Sequence, residues 1–124
     1  MEKTLKFVTE HLNDDVARLV LDRARWSEVD IDLAIACIES RRKLRNKVNE
    51  WYENGSLVFP VKLSAEQCSS SATALYKSSL AEKIAGRAEW RIADLTGGLG
   101  VDSWFFSLKA ARVLYNERME ILCE

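Results

Sequence analysis

Residues 91–102 read Arg-Ile-Ala-Asp-Leu-Thr-Gly-Gly-Leu-Gly-Val-Asp, and this stretch decides the fold. Its pattern predicts a short strand at residues 91–93, a glycine-rich turn at 94–100, and a helix from Val101 to about Ala110. A second strand is expected at residues 111–115. Strand, glycine loop, helix and strand form the first half of a nucleotide-binding α/β unit.

Three features of this stretch favour a ligand that contains ribose. Glycines let the backbone turn sharply and approach a ligand where a Cβ would clash. A helix that begins near Val101 directs unpaired backbone N–H groups toward the same spot. Glu117 follows Gly100 by seventeen residues, close to the roughly 20 that place a carboxylate on ribose hydroxyls. The alternative is an ordinary strand-to-helix turn without a ligand.

The loop differs from the nicotinamide and flavin fingerprint, G-x-G-x-x-G. The third glycine of that fingerprint is missing, because Ser103 stands in its place. Asp94 also ends the first strand, where an acid would repel a pyrophosphate. S-adenosylmethionine has no phosphate and carries a cationic ammonium and sulfonium, so an acid suits it. A nicotinamide-dependent oxidoreductase is the less favoured alternative, since it requires Ser103 to pack where glycine or alanine normally lies.

Residues 94–100 resemble motif I of the class I S-adenosylmethionine-dependent methyltransferases, in which an acid is followed by glycines two, four and six positions later. Gly98 and Gly100 match the second and third glycines, and Thr96 stands at the first. That departure is familiar in RNA-modifying branches, including trimethylguanosine-synthase-like enzymes. Together with residues 66–70 and 73–77, the stretch is similar to bacterial methyltransferases that carry a THUMP-like domain.

The resemblance implies S-adenosylmethionine as cofactor and assigns roles to residues of the loop and of the second strand's end. Asp94 would face the methionine amino group, Glu117 would hold both ribose hydroxyls, and the glycines would form the floor under the cofactor. The predicted cofactor-binding residues are Asp94, Thr96, Gly97, Gly98, Gly100, Asp102, Glu117 and Arg118.

The rest of the chain predicts a mostly helical α+β protein. Residues 1–54 read as a module of three helices, the last running from Asp30 to about Tyr52, and residues 55–89 as a connecting strand and helix. Residues 64–67 have capping-box spacing, and the serines at residues 69–71 offer a second start for a helix from Ala72 to about Ile84. Gly86 ends this helix, and its packing side is formed by Leu75, Tyr76, Leu80 and Ile84. Residues 90–124 then begin a Rossmann-like methyltransferase domain.

A basic run lies near the end of the helical module. Five of seven residues are cationic, namely Arg41, Arg42, Lys43, Arg45 and Lys47, and Trp51 and Tyr52 follow. Clustered cations near aromatic rings could bind phosphates and stack on unpaired bases, which makes RNA a candidate partner. The alternative is a solvated helix face. A helical module that binds RNA or a protein without catalysis is the second hypothesis for the function.

The Rossmann-like domain is expected to be truncated. A complete methyltransferase sheet has about seven strands, each βαβ step needing roughly 30 residues, and the family's catalytic motif at the fourth strand has no counterpart here. We therefore expect no catalytic residue and no turnover from this chain alone. The unpaired edge of the second strand would favour a homodimer.

Composition excludes several other classes of protein. The net charge is -1, so the total charge does not indicate a nucleic-acid or membrane partner. One histidine and three dispersed cysteines do not readily supply the ligands of an ordinary zinc or iron site. No stretch approaches the roughly 20 apolar residues that span a bilayer, and the amino terminus lacks a signal-peptide pattern. The sequence therefore predicts a cytoplasmic protein.

Overall fold

The computed structural model describes residues 1–123, which form a mostly helical α+β protein with a two-stranded parallel sheet. Contacts within the chain divide it into two compact units, one of residues 1–66 and one that begins at Gln67. This division falls inside the predicted connecting segment, residues 55–89.

The first unit is a set of short helices around an apolar core. They are α1 (Glu2–Glu10), α2 (Val16–Leu21), α3 (Ile31–Leu44), α4 (Asn49–Glu53) and α5 (Lys62–Gln67), with a 3-10 turn at Arg23–Trp26. The core consists of Phe7, Val8, Leu19, Ile31, Ala34, Cys37 and Ile38. Burial of this apolar surface is the main stabilising contribution within the unit.

Side-chain caps fix the starts of two of these helices. The Asp30 carboxylate accepts a hydrogen bond from the Leu33 N–H at 3.0 Å, so α3 begins where the sequence predicts. Asp15 caps α2 by accepting from the Ala17 N–H at 2.8 Å. The sequence pattern favours Asn13 or Asp14 as the cap of this helix, and that prediction was wrong by one or two positions.

The single helix predicted from Asp30 to Tyr52 was also wrong. α3 ends at Leu44, a turn follows, and α4 starts at Asn49. The turn places Val48, which is fully buried, in the interior of the unit. Tertiary packing of Val48 therefore overrides the helical propensity of the surrounding residues.

The second unit contains the predicted strand, loop, helix and strand. Its elements are α6 (Ser71–Ala85), β1 (Arg91–Asp94), α7 (Val101–Ser107), β2 (Arg112–Tyr115) and a 3-10 turn at Glu120–Leu122. β1 and β2 are parallel, with Arg91 opposite Arg112 and Asp94 opposite Tyr115. The buried side chains of Trp90, Val101, Phe105 and Phe106 pack inside this unit. This parallel pairing confirms the β-α-β order expected from the sequence.

Helix α6 has the predicted ends and a different buried face. The Ser70 hydroxyl accepts from the Thr73 N–H at 3.2 Å, and Gly86 ends the helix with a φ of 61°. The predicted packing side was wrong, because Leu75, Tyr76, Leu80 and Ile84 are all exposed. α6 instead buries the small residues Ala74 and Ser78, and the Ser78 hydroxyl donates to the Phe105 carbonyl at 3.1 Å.

The sheet has one covered face and one open face. Along β1 and β2, exposed residues alternate with partly buried ones, so Arg91, Ala93, Arg112 and Leu114 share the exposed face. Among the described residues each strand has a partner on one side only. A homodimer through the free edge of β2 stays a prediction.

Two further properties concern the described part of the chain. None of its helices has the length and apolar character that a bilayer crossing requires. Within residues 1–123, no three histidine, cysteine, aspartate or glutamate side chains lie close enough together to hold a metal ion.

Candidate cofactor-binding site

The glycine loop, residues 95–100, lies at the carboxyl ends of the two strands. The Asn116 N–H donates to the Asp94 carbonyl at 2.9 Å, and the Gly97 N–H donates to the Asn116 carbonyl at 2.9 Å. These two bonds extend the pairing of β1 and β2 beyond the strands themselves. As a result, the loop after β1 and the residues after β2 lie side by side.

Gly98 and Gly100 have the backbone conformation for which glycine is favoured. Their φ angles are 53° and 89°, in the left-handed region that L side chains rarely adopt. A Cβ added at Gly98 would meet only the Thr96 carbonyl oxygen, at 3.8 Å. Gly98 therefore combines a required conformation with free space on the loop surface.

Gly97 is needed for a different reason. A Cβ at Gly97 would lie 2.2 Å from Cε2 of the Tyr115 ring, which fills the space beneath the loop. The Tyr115 hydroxyl also donates to the Gly98 carbonyl at 2.6 Å, and burial raises the pKa of that hydroxyl. Gly97 thus serves the internal packing of the loop against β2.

Glu117 ties the residues after β2 to the glycine loop. Its Oε2 accepts from the Gly98 N–H at 2.7 Å, and its Oε1 accepts from the N–H groups of Arg118 and Met119 at 2.7 and 2.8 Å. The backbone donors of Met119 and Gly98 hold the pKa of this carboxyl below its usual value. Glu117 is therefore ionised at neutral pH and stabilises the loop conformation.

Asp94 ends β1 and faces the start of α7. Its Oδ2 accepts from the Ser103 hydroxyl at 2.7 Å, and its Oδ1 accepts from the Thr96 N–H at 3.3 Å. Ser103 is buried, and it orients the Asp94 carboxylate toward the loop. Thr96 and Arg118, two more predicted cofactor-binding residues, are exposed beside the two acids.

Asp102 is turned away from these acids and toward α6. Its Oδ2 accepts from the Lys77 ammonium at 2.7 Å and from the Ser69 hydroxyl at 2.9 Å. Its Oδ1 is buried without a hydrogen-bond partner among the described residues. The structure thus uses Asp102 to join α7 to the segment before α6.

The predicted RNA-contact residues of the first unit are mostly engaged within that unit. Arg41 is buried, donates to the Leu57 carbonyl at 2.8 Å and lies over the Phe59 ring, and burial lowers its pKa. Arg42 donates to the carbonyls of Leu12 and Asp14, Lys43 pairs with Glu66 at 2.6 Å, and Lys47 donates to the carbonyls of Ala65 and Glu66. Arg42, Lys43 and Arg45 are exposed, and of the five cations Arg45 is the one whose side chain has no partner in the described part of the chain.

Three residues of the loop's support were absent from the predicted site. They are Ser103, which positions Asp94; Tyr115, which packs under Gly97; and Asn116, whose side chain donates to the Leu95 carbonyl at 3.1 Å. Ser103 had a signal in the sequence, since it stands where a third glycine would lie. Tyr115 and Asn116 had none, because the strand pairing alone brings them to the loop.

Comparison with known proteins relates the chain to a solved structure. No family model matches the chain, and no curated protein matches it. The chain is similar to the structure described as "Crystal structure of putative methyltransferase from Porphyromonas gingivalis W83", with 30% sequence identity and a TM-score of 0.71. The match covers 95% of this chain and 28% of that one. In sequence and in fold, this chain is therefore similar to one part, 28% of the length, of that putative methyltransferase.

Proposed function

We propose that this chain binds S-adenosylmethionine at residues 94–100, as the beginning of a class I methyltransferase domain. The observation that carries the proposal is the placement of two acids, Asp94 at the end of β1 and Glu117 after β2, on either side of one glycine loop. No described lysine or arginine side chain forms an ion pair with either of them. A carboxylate without a cationic partner at Asp94 suits the ammonium of the cofactor, and the carboxylate of Glu117 suits its ribose hydroxyls.

The residues at the loop fit that cofactor. The space at Gly98 permits close approach of a ligand to the backbone. Asp94 would accept from the methionine ammonium, with its carboxylate held in place by Ser103. Glu117 already accepts two backbone bonds at Oε1 and one at Oε2, so Oε2 is the oxygen with room for a ribose hydroxyl.

The methyl group of the bound cofactor is electrophilic because it is attached to a sulfonium. The residues of this chain bind and orient the cofactor, and we assign none of them a catalytic role. For the methyl acceptor we propose RNA, since the THUMP-like-domain branch and the RNA-modifying branches are the ones that the sequence resembles. The basic run of residues 41–47 adds little support for RNA, because four of its five cations are engaged within the first unit.

Calorimetric titration with S-adenosylhomocysteine tests the cofactor assignment, with NADH as the comparison ligand. We expect saturable binding of S-adenosylhomocysteine by this chain and none of NADH. The Asp94→Asn variant keeps an oxygen for the Ser103 hydroxyl, and we expect it to weaken binding about tenfold or more. Glu117→Gln should weaken binding as well, and its melting curve establishes whether the second unit stays folded.

A matched control is Glu82→Gln, which removes one carboxylate from the same unit at a position paired with Lys109. This variant should bind S-adenosylhomocysteine like the original chain. Equal affinity of Asp94→Asn and the original chain, or tighter binding of NADH, would show that the loop is not an S-adenosylmethionine site.

A further inference from the structure

Three arginines gather at the amino ends of the two strands, at the opposite end of the sheet from the glycine loop. Arg87, Arg91 and Arg112 line a cleft of about 470 Å³ together with Glu89 and Ala111. All three arginines are exposed, and none of them forms an ion pair with a described residue. The cleft thus carries three cations and one acid.

The strand register makes this cluster unfavourable on its own. Arg91 is the direct partner of Arg112 in the parallel sheet, and both side chains stand on the exposed face. Like charges that are directly opposite each other on adjacent strands are destabilising. Glu89 alone cannot compensate three guanidinium groups, so an anion from outside the described residues would complete the charge balance.

We infer that Arg87, Arg91 and Arg112 form a binding site for the phosphate backbone of a nucleic acid. Guanidinium groups bind phosphate oxygens bidentately. The cleft is open and its arginines are exposed, so a single free phosphate would be held weakly against solvent and salt. When several linked phosphates each lie near one arginine, the binding free energies of these contacts add up, and the nucleic acid releases counterions on binding.

The distance between the arginine cleft and the glycine loop suits an extended ligand. β1 runs from Arg91 to Asp94, which is about 10 Å at roughly 3.3 Å for each residue. An acceptor strand whose target lies near the loop could therefore reach the arginine cleft with phosphates a few nucleotides away. This inference rests on the proposed function in naming RNA as the nucleic acid and in placing its target near the loop.

The test is fluorescence anisotropy with a labelled 12-nucleotide oligouridylate, over a range of salt concentrations. The double variant Arg91→Gln/Arg112→Gln should bind about tenfold more weakly, and its salt dependence should fall by roughly 0.7 for each lost phosphate contact. Its melting temperature should not fall, because a repulsive pair has been removed. A matched control, Arg18→Gln/Arg25→Gln, removes two exposed arginines of the first unit and should bind like the original chain.

Competition experiments identify which class of anion the arginine cleft binds. The competitors are inorganic pyrophosphate and an oligoglutamate with the same charge as the oligouridylate. Each should displace the labelled RNA only at concentrations at least about a hundredfold higher than unlabelled RNA requires. Equal competition by pyrophosphate would show a small-anion site, and equal competition by oligoglutamate would show a site for acidic protein segments. Either result overturns the inference, as does an equal loss of binding in the control variant or no binding of RNA by the original chain.

Binding of S-adenosylhomocysteine to the same variants separates this inference from the proposed function. The Arg91→Gln/Arg112→Gln variant should bind S-adenosylhomocysteine like the original chain. Failure of all variants to bind S-adenosylhomocysteine, with RNA binding still dependent on Arg91 and Arg112, would overturn the proposed function alone.

Discussion

The basic run of the first unit and the glycine loop of the second unit both carry sequence signals for ligand binding, and the structure uses them differently. Residues 41–47 direct four of their five cations to carbonyls, a ring or a carboxylate of the same unit. The glycine loop, residues 95–100, keeps space at Gly98. It is flanked by Asp94 and Glu117, two acids that form no ion pair with the described residues. A run of charged residues shows only that cations are close together in sequence, and their side chains can turn to partners within the protein. Glycines at a defined spacing specify a backbone conformation, and with it the shape of the loop.

The largest effect should come from Gly97, where loop packing is tightest. Gly97→Ala places a methyl group within 2.2 Å of the Tyr115 ring, so the ring or the loop must move. We expect the second unit to lose about 2–3 kcal/mol of unfolding free energy, measured by urea denaturation. Gly55→Ala is a suitable control, because its added Cβ meets only Thr9 Oγ1, at 3.8 Å.

The cause of that loss can be checked in a second background. Tyr115→Leu removes the ring, so Gly97→Ala should cost clearly less when both substitutions are present. An equal cost in both backgrounds would show that the ring is not what excludes a side chain at Gly97. The explanation of Gly97 as a packing residue would then fail.

The next effect separates a buried cation of the basic run from an exposed one. Arg41→Ala removes the donor to the Leu57 carbonyl and the contact with Phe59, and we expect a loss of about 2 kcal/mol in the first unit. Arg45→Ala should change the unfolding free energy by less than about 0.5 kcal/mol. Urea denaturation followed by tryptophan fluorescence measures both.

Arg41→Met sharpens this test, since methionine fills the space without a charge. Burial lowers the pKa of Arg41, which means that the folded chain holds the charged form at a cost. Arg41→Met should therefore be less destabilising than Arg41→Ala. If Arg41→Ala and Arg45→Ala have the same unfolding free energy, Arg41 has no structural role and stays a candidate for RNA contact.

The sequence predicts correctly those structural features that depend on residues close together in the chain, and not those that depend on distant segments. The β-α-β order, the start of α3 at Asp30 and the end of α6 at Gly86 depend on local signals, namely strand patterns, a cap and a left-handed glycine. These predictions were confirmed. The break after Leu44 and the exposed side of α6 depend on how distant segments pack, which periodicity does not contain.

The same distinction applies to the candidate site. The acids and glycines at residues 94–100 and Glu117 were predicted, and the structure brings them together at one end of the sheet. The support from Tyr115 and Asn116 depends on the register of β2 against β1. A sequence shows which residues occur in the second strand, and the register decides which of them lies under the loop.

The smallest effect should appear in two ion pairs, one from each region. Lys43–Glu66 lies in the first unit, with 44% and 42% of the side chains exposed, and Lys77–Asp102 lies in the second, with 44% and 25% exposed. One double-mutant cycle combines Lys43→Met with Glu66→Gln, and the other combines Lys77→Met with Asp102→Asn; each cycle measures the coupling free energy of its pair. We expect about 0.5 kcal/mol for Lys77–Asp102 and a coupling within error of zero for Lys43–Glu66, because the more exposed pair is screened more strongly. A coupling for Lys43–Glu66 larger than that for Lys77–Asp102 would mean that ion pairing stabilises the arrangement of the basic run. The basic run and the glycine loop would then differ in their charges and not in the backbone conformation that each one specifies.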